Sequence, residues 1–116
     1  MAIKNDEVMA LADVYAGALL QAAADQGVQE EVAEQFADLV RYLDSNPNFA
    51  GFMTADSVDD DQRRVSLDKI FRGRMSDLLL NTLQVLNHRG RLHLVRHVGR
   101  AVELRMEALH HQQEVV

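Results

Sequence analysis

Residues 11–23, LADVYAGALLQAA, place apolar side chains at the three- and four-residue spacings of an α-helix, and they do so on two sides of it at once. Ala12, Ala16, Leu19, Leu20 and Ala23 form one stripe, enough to bind a helix to a core. Leu11, Tyr15, Ala18 and Ala22 form a second. The helix is read over Asp6 to Asp25, with Gly27 placed to end it in the left-handed conformation that glycine adopts at little cost. A helix apolar on two sides is either central in its own bundle or exposes a groove for a partner helix, and its periodicity leaves both open.

The same doubling recurs near residue 80. In a helix expected from about Ser76 to His88 and ended at Gly90, Leu79, Leu83 and Leu86 form a core stripe. Leu78, Thr82 and Val85, with Asn81 beside them, lie on another side. Between these two helices the chain keeps a helical rhythm. Val28 to Asp44 is amphipathic through Val32, Phe36, Leu39, Val40 and Leu43, with Glu30 and Glu31 in the first turn, where the backbone dipole favours anions. Asn46-Pro47 reads as a cap and first-turn proline opening a short helix with Phe49, Phe52 and Met53. Ser57 and Asp60 read as a capping box for a fourth helix, in which Leu67, Ile70 and Phe71 face inward before Gly73 stops it. A sixth helix is expected from Leu92 to about His111, burying Val95, Val98, Val102, Met106 and Leu109. No run alternates apolar and polar residues as a half-buried strand does. The expected fold is therefore all-α, a six-helix bundle occupying residues 1–112 as one domain with short connections.

Composition narrows the function. With 47% hydrophobic and 26% charged residues in 116, one ordinary globular core is expected. The absence of cysteine removes disulfides, thiolate metal sites and a cysteine nucleophile, and fits a reducing compartment. Met1 to Glu7 sets Lys4 against Asp6 and Glu7 and lacks the basic character of a targeting leader. The longest apolar run, Val8 to Ala24, is largely alanine and is broken by Asp13 and Gln21, so no transmembrane helix is expected. A formal charge of −6 disfavours general affinity for nucleic acid or anionic lipid. That charge is uneven: residues 1–62 carry 2 basic and 13 acidic groups, residues 63–116 carry 10 and 5. Long-range complementarity within one bundle is the reading preferred over a basic nucleic-acid surface.

Catalytic and metal constellations are thin. His93 and His97 stand four apart, but Leu94 occupies the place where a zinc-protease motif needs glutamate, so the pair is read as solvated histidines beside Arg96 and Arg100. Glu107 and His110 form one Glu-x-x-His step where a di-iron bundle needs two. Among Asp56, Asp59, Asp60 and Asp61, Val58 takes a calcium-ligand position and the closing glutamate is missing. There is no phosphate-binding glycine loop and no nucleophile elbow, and Arg89-Gly90-Arg91 reads as a helix stop flanked by solvated arginines. Neither a cofactor nor an enzymatic activity is expected.

The stretch Leu11 to Leu19 resembles the opening Tyr-Ala-x-Ala-Leu signature of the ATP synthase delta subunit family, the bacterial counterpart of the oligomycin sensitivity-conferring protein. Asn46-Pro47, Phe71, Asn81-x-Leu83 and Gly90-Arg91-Leu92 are similar to later landmarks of its N-terminal domain, in order. The resemblance implies a non-catalytic peripheral-stalk subunit that receives the N-terminal helix of a catalytic-head alpha subunit between helices one and five. It carries Tyr15, Ala18, Asn81 and Val85 over as contacts. With the apolar periodicity, the expected partner site is Leu11, Tyr15, Ala18, Ala22, Leu78, Asn81, Thr82 and Val85. It further implies a peripheral location on the cytoplasmic face of the bacterial inner membrane. Thr82 stands where the family usually carries a bulky apolar residue. Residues 113–116 are expected to open a linker to a C-terminal domain, absent here, that would contact the b-subunit stalk. Two readings from other classes are a helical nucleic-acid regulator using the arginines of helices five and six, and a metal-dependent bundle around His93, His97 and Glu107.

Overall fold

The computed structural model describes residues 5–114. Six α-helices follow one another: α1 (Asn5–Asp25), α2 (Gln29–Ser45), α3 (Pro47–Thr54), α4 (Asp60–Phe71), α5 (Asp77–His88) and α6 (Val95–Glu114), with a 3-10 turn at Leu92–Leu94 before the last. The fold is the expected all-α bundle. Among the described residues the β-pairing is limited to an isolated bridge between Arg72 and Met75.

Local chemistry sets most boundaries. Gly27 (φ 70°) closes α1 in a Schellman turn, with Val28 N–H donating to Ala23 O at 2.9 Å and Gly27 N–H to Ala24 O at 3.0 Å. Gly90 (φ 67°) closes α5 the same way, through Arg91 N–H to Leu86 O at 2.7 Å and Gly90 N–H to Asn87 O at 3.0 Å. Ser76 caps α5, its Oγ accepting from Leu78 N–H at 3.2 Å. Its own N–H donates to Gln35 Oε1 of α2 at 2.7 Å, which ties the start of α5 to a neighbouring helix.

Four expectations need correction. The capping box at Ser57 and Asp60 does not form: α4 starts after Asp59 with no side-chain cap, and Ser57 lies in the preceding turn. Arg63 takes over that region, its guanidinium donating to the carbonyls of Phe52, Ala55 and Val58 and to Asn87 Oδ1, with Asp60 as counter-ion. Asn46 does not cap α3 through its side chain, which instead donates to Tyr42 O at 2.8 Å, although Pro47 does occupy the first turn. The last helix is preceded by the 3-10 turn and, among the residues whose burial is described, buries none beyond Met106; Leu109 is 36% exposed. Finally, Asp6–Asp25 is, by length and composition, long and apolar enough to cross a membrane. Its two apolar stripes account for that character: one is buried in the bundle and one lines a surface groove.

The core is built mainly from α1 and α6, which pack along much of their lengths, with α2 beside them and α5 behind. Every residue of the first α1 stripe is buried, as are Leu79, Leu80, Leu83 and Leu86 of α5. Gly99 of α6 lets α2 come close: a Cβ built there would stand 3.0 Å from Val40 Cγ2 and 3.1 Å from Phe36 Cε1. Part of the charge asymmetry is resolved inside the bundle. Arg105 pairs with Asp13, Arg96 with Asp44 and His110 with Glu30, each joining the basic half to the acidic half.

Candidate functional site

The second stripe of α1 stays outside the core. Ala18 is exposed and Leu11, Tyr15 and Ala22 are half-buried. Across from them on α5, Leu78 and Thr82 are half-buried, while Asn81 and Val85 (45%) are exposed. Together they line one open groove of about 550 Å³ between α1 and α5. The structure thus places all eight residues singled out from the sequence along a single surface, because six helices supply neighbours for only one side of each of these two.

The C-terminal end of α5 is tied to the α1 wall through Arg91, which donates to Tyr15 OH at 2.6 Å. Ala18, midway, keeps the α1 wall low. Thr82 spends its hydroxyl on its own helix, donating to Leu78 O at 3.0 Å, so no buried donor is left unpaired in the floor.

Four lining residues escaped sequence reasoning. Leu19 and Val14 (67% exposed) flank the α1 stripe. Arg89 and Arg91 close the far end, and Arg91 Nη1 donates to Tyr15 OH at 2.6 Å. The sequence marks that pair only as residues beside a helix stop. Their position over the groove follows from the turn at Gly90, which sends the chain back across the end of α5.

The groove differs from its neighbours in chemistry. A second one of about 520 Å³, between α2 and α6, is rimmed by Glu34, Arg41, Arg96, Arg100, Glu103, Glu107 and His110, several held in ion pairs. A cleft of about 190 Å³ near Arg63 and Asn87 is polar and occupied by the hydrogen bonds of those two buried side chains. The α1–α5 groove has an apolar floor, two arginines and no carboxylate in its lining.

Other sequence candidates are dispersed. His93 and His97 are both exposed, and among the described residues no group of three metal-capable side chains converges. Of the arginines in the C-terminal half, Arg63, Arg64, Arg72, Arg96, Arg100 and Arg105 are each paired with a carboxylate. The hydrogen bonds that Arg72 donates to Asp68 and Asp77 hold it above the ordinary arginine pKa. Arg105 is raised through Asp13, whose own carboxyl the same bond holds below the ordinary aspartate value.

By shape this is an all-α helical bundle with an apolar surface groove between its first and fifth helices. The profile of the ATP synthase delta (OSCP) subunit family matches residues 11–116, and the chain belongs to that family. It is 31% identical over 86 residues to ATP synthase subunit delta of Halalkalibacterium halodurans, covering 74% of this chain and 47% of that protein. It is 37% identical over 78 residues to ATP synthase subunit delta of Leptospira interrogans, covering 67% and 40%. A third relative, ATP synthase subunit delta of the Paulinella chromatophora organellar chromatophore, is 29% identical over 82 residues, covering 71% and 45%. The matched region thus spans less than half of each of these relatives.

Proposed function

We propose that this chain is the helical N-terminal domain of a non-catalytic peripheral-stalk subunit of a proton-translocating ATP synthase. In this reading the α1–α5 groove receives the N-terminal helix of a catalytic-head alpha subunit and helps hold the head static against rotor torque. The subunit sits peripherally at the cytoplasmic face of the membrane, and contact with the b-subunit stalk belongs to a part of it outside these 116 residues.

The observation that carries the proposal is the groove itself. It is apolar and has no acid in its lining, and it is made by Leu11, Tyr15, Ala18 and Ala22 facing Leu78, Asn81, Thr82 and Val85 in a member of the ATP synthase delta family. Leu11 to Ala22 covers about 17 Å of helix, or three turns, which suits the apolar face of one amphipathic segment. Apolar burial contributes about 25 cal/mol per Å² and is little weakened by salt, which suits a contact that must hold under load.

Calorimetric titration with a synthetic peptide of the first ~20 residues of a cognate alpha subunit tests the proposal. Saturable one-to-one binding with a negative heat-capacity change is expected. Ala18→Asp should keep the helical circular-dichroism spectrum and lose binding by at least about tenfold, because the carboxylate is desolvated against an apolar face. A folded Ala18→Asp protein that binds as well as wild type overturns the groove assignment.

A further inference from the structure

The two arginines at the end of the groove stand apart from most arginines of the basic half. Arg89 and Arg91 have no carboxylate within ion-pair distance among the described residues, whereas six others in that half do. Arg91 is also held in place. Its main-chain N–H is bound to Leu86 O by the Schellman turn, and its guanidinium donates to Tyr15 OH at 2.6 Å. A guanidinium has five N–H donors, and the tyrosine hydroxyl accepts one of them. A rigidly placed cation with spare donors sits beside a second cation at one end of an apolar groove that contains no acid.

We propose that Arg89 and Arg91 form a carboxylate-binding anchor, so that the helix docked in the groove must carry an acidic side chain at the end of its apolar stripe that meets Tyr15 and Val85. This rests on the helix-docking function above and adds to it the charge pattern and register of the partner. The apolar floor tolerates sliding by a turn, because one aliphatic side chain replaces another at small cost. A bidentate guanidinium–carboxylate contact at one end penalises such a slip and fixes the seating. Tyr15 then serves both parts: its ring lines the apolar floor and its hydroxyl positions Arg91.

The test titrates the same ~20-residue alpha peptide into wild type, Arg89→Gln, Arg91→Gln and the double variant, at NaCl from about 50 to about 500 mM. A parallel set of peptides replaces each Glu or Asp by its amide. Glutamine keeps the Gly90 turn intact because the turn uses main-chain bonds only, and circular dichroism checks this. The double variant should bind about fivefold more weakly at low salt, the difference should shrink at high salt, and one amide peptide should abolish it. Double-variant binding equal to wild type at every salt concentration overturns the anchor while leaving groove docking intact. A complete lack of saturable binding to wild type overturns both. Self-association of the free chain that the peptide fails to reverse, read by sedimentation, assigns the groove to a second copy and also overturns the anchor.

Discussion

Asp13 of α1 accepts two hydrogen bonds from the Arg105 guanidinium of α6, at 2.7 and 2.9 Å, and that guanidinium lies directly over Gly17, where a Cβ would meet its carbon at 3.0 Å. The pair is exposed at the surface, yet it joins the two longest helices across ninety-two positions of sequence.

The bond lowers the Asp13 pKa below its ordinary 3.8. A carboxyl with a depressed folded-state pKa adds stability above its unfolded value and loses it as pH falls through the folded one. Asp13→Asn should therefore flatten the acid limb of stability below about pH 4 and leave its neutral-to-alkaline shape unchanged. Urea midpoints measured from pH 2 to 7 check this.

Gly17 and Gly99 should respond oppositely to alanine. At Gly99 the added methyl meets the ring of Phe36 and Val40 inside the packed α2–α6 interface, and the expected cost is about 1 to 3 kcal/mol. At Gly17 the obstacle is the tip of a long surface side chain that can shift, so the gain in helix propensity, up to about 1 kcal/mol, prevails. Urea unfolding of the two variants, with slopes unchanged, separates them.

Arg63 is buried and serves the carbonyls of Phe52, Ala55 and Val58 together with Asn87 Oδ1 at 3.2 Å. Arg63→Met keeps much of the volume but leaves those acceptors short of donors, at an expected cost of about 2 to 4 kcal/mol. Arg63→Lys should recover little, since a single ammonium cannot reach four acceptors spread over two helices and a loop.

Thr82→Val should leave stability almost unchanged and tighten alpha-peptide binding about fourfold. One more methyl is buried in the groove floor at about 0.8 kcal/mol, while the hydroxyl given up was bonded only to its own helix. Equal affinities for the two proteins would show that the peptide does not reach Thr82.

Much of the fold is legible in the chain itself. The Gly27 and Gly90 stops, the Ser76 start and the doubled stripes on α1 and α5 depend on spacings of one to four residues, and such short-range chemistry is written directly in the chain. The failures share one cause. Ser57 has no capping role because α4 starts only after Asp59, with Arg63 donating to the carbonyls of the loop before it, and Leu109 is exposed because the buried face of α6 ends at Met106. Both outcomes depend on what another segment places nearby.

The sequence by itself determined an all-helical bundle, its element order, the two residue sets on α1 and α5, and the family to which it is similar, because periodicity and capping act within a turn or two. Only the tertiary structure decided that those sets face each other across an open groove, that Arg91 reaches Tyr15 to close its end, and that Arg96 and Arg105 of the basic half pair with Asp44 and Asp13 of the acidic one. Those facts rest on side chains tens of residues apart, whose meeting depends on how the helices pack and not on any local preference.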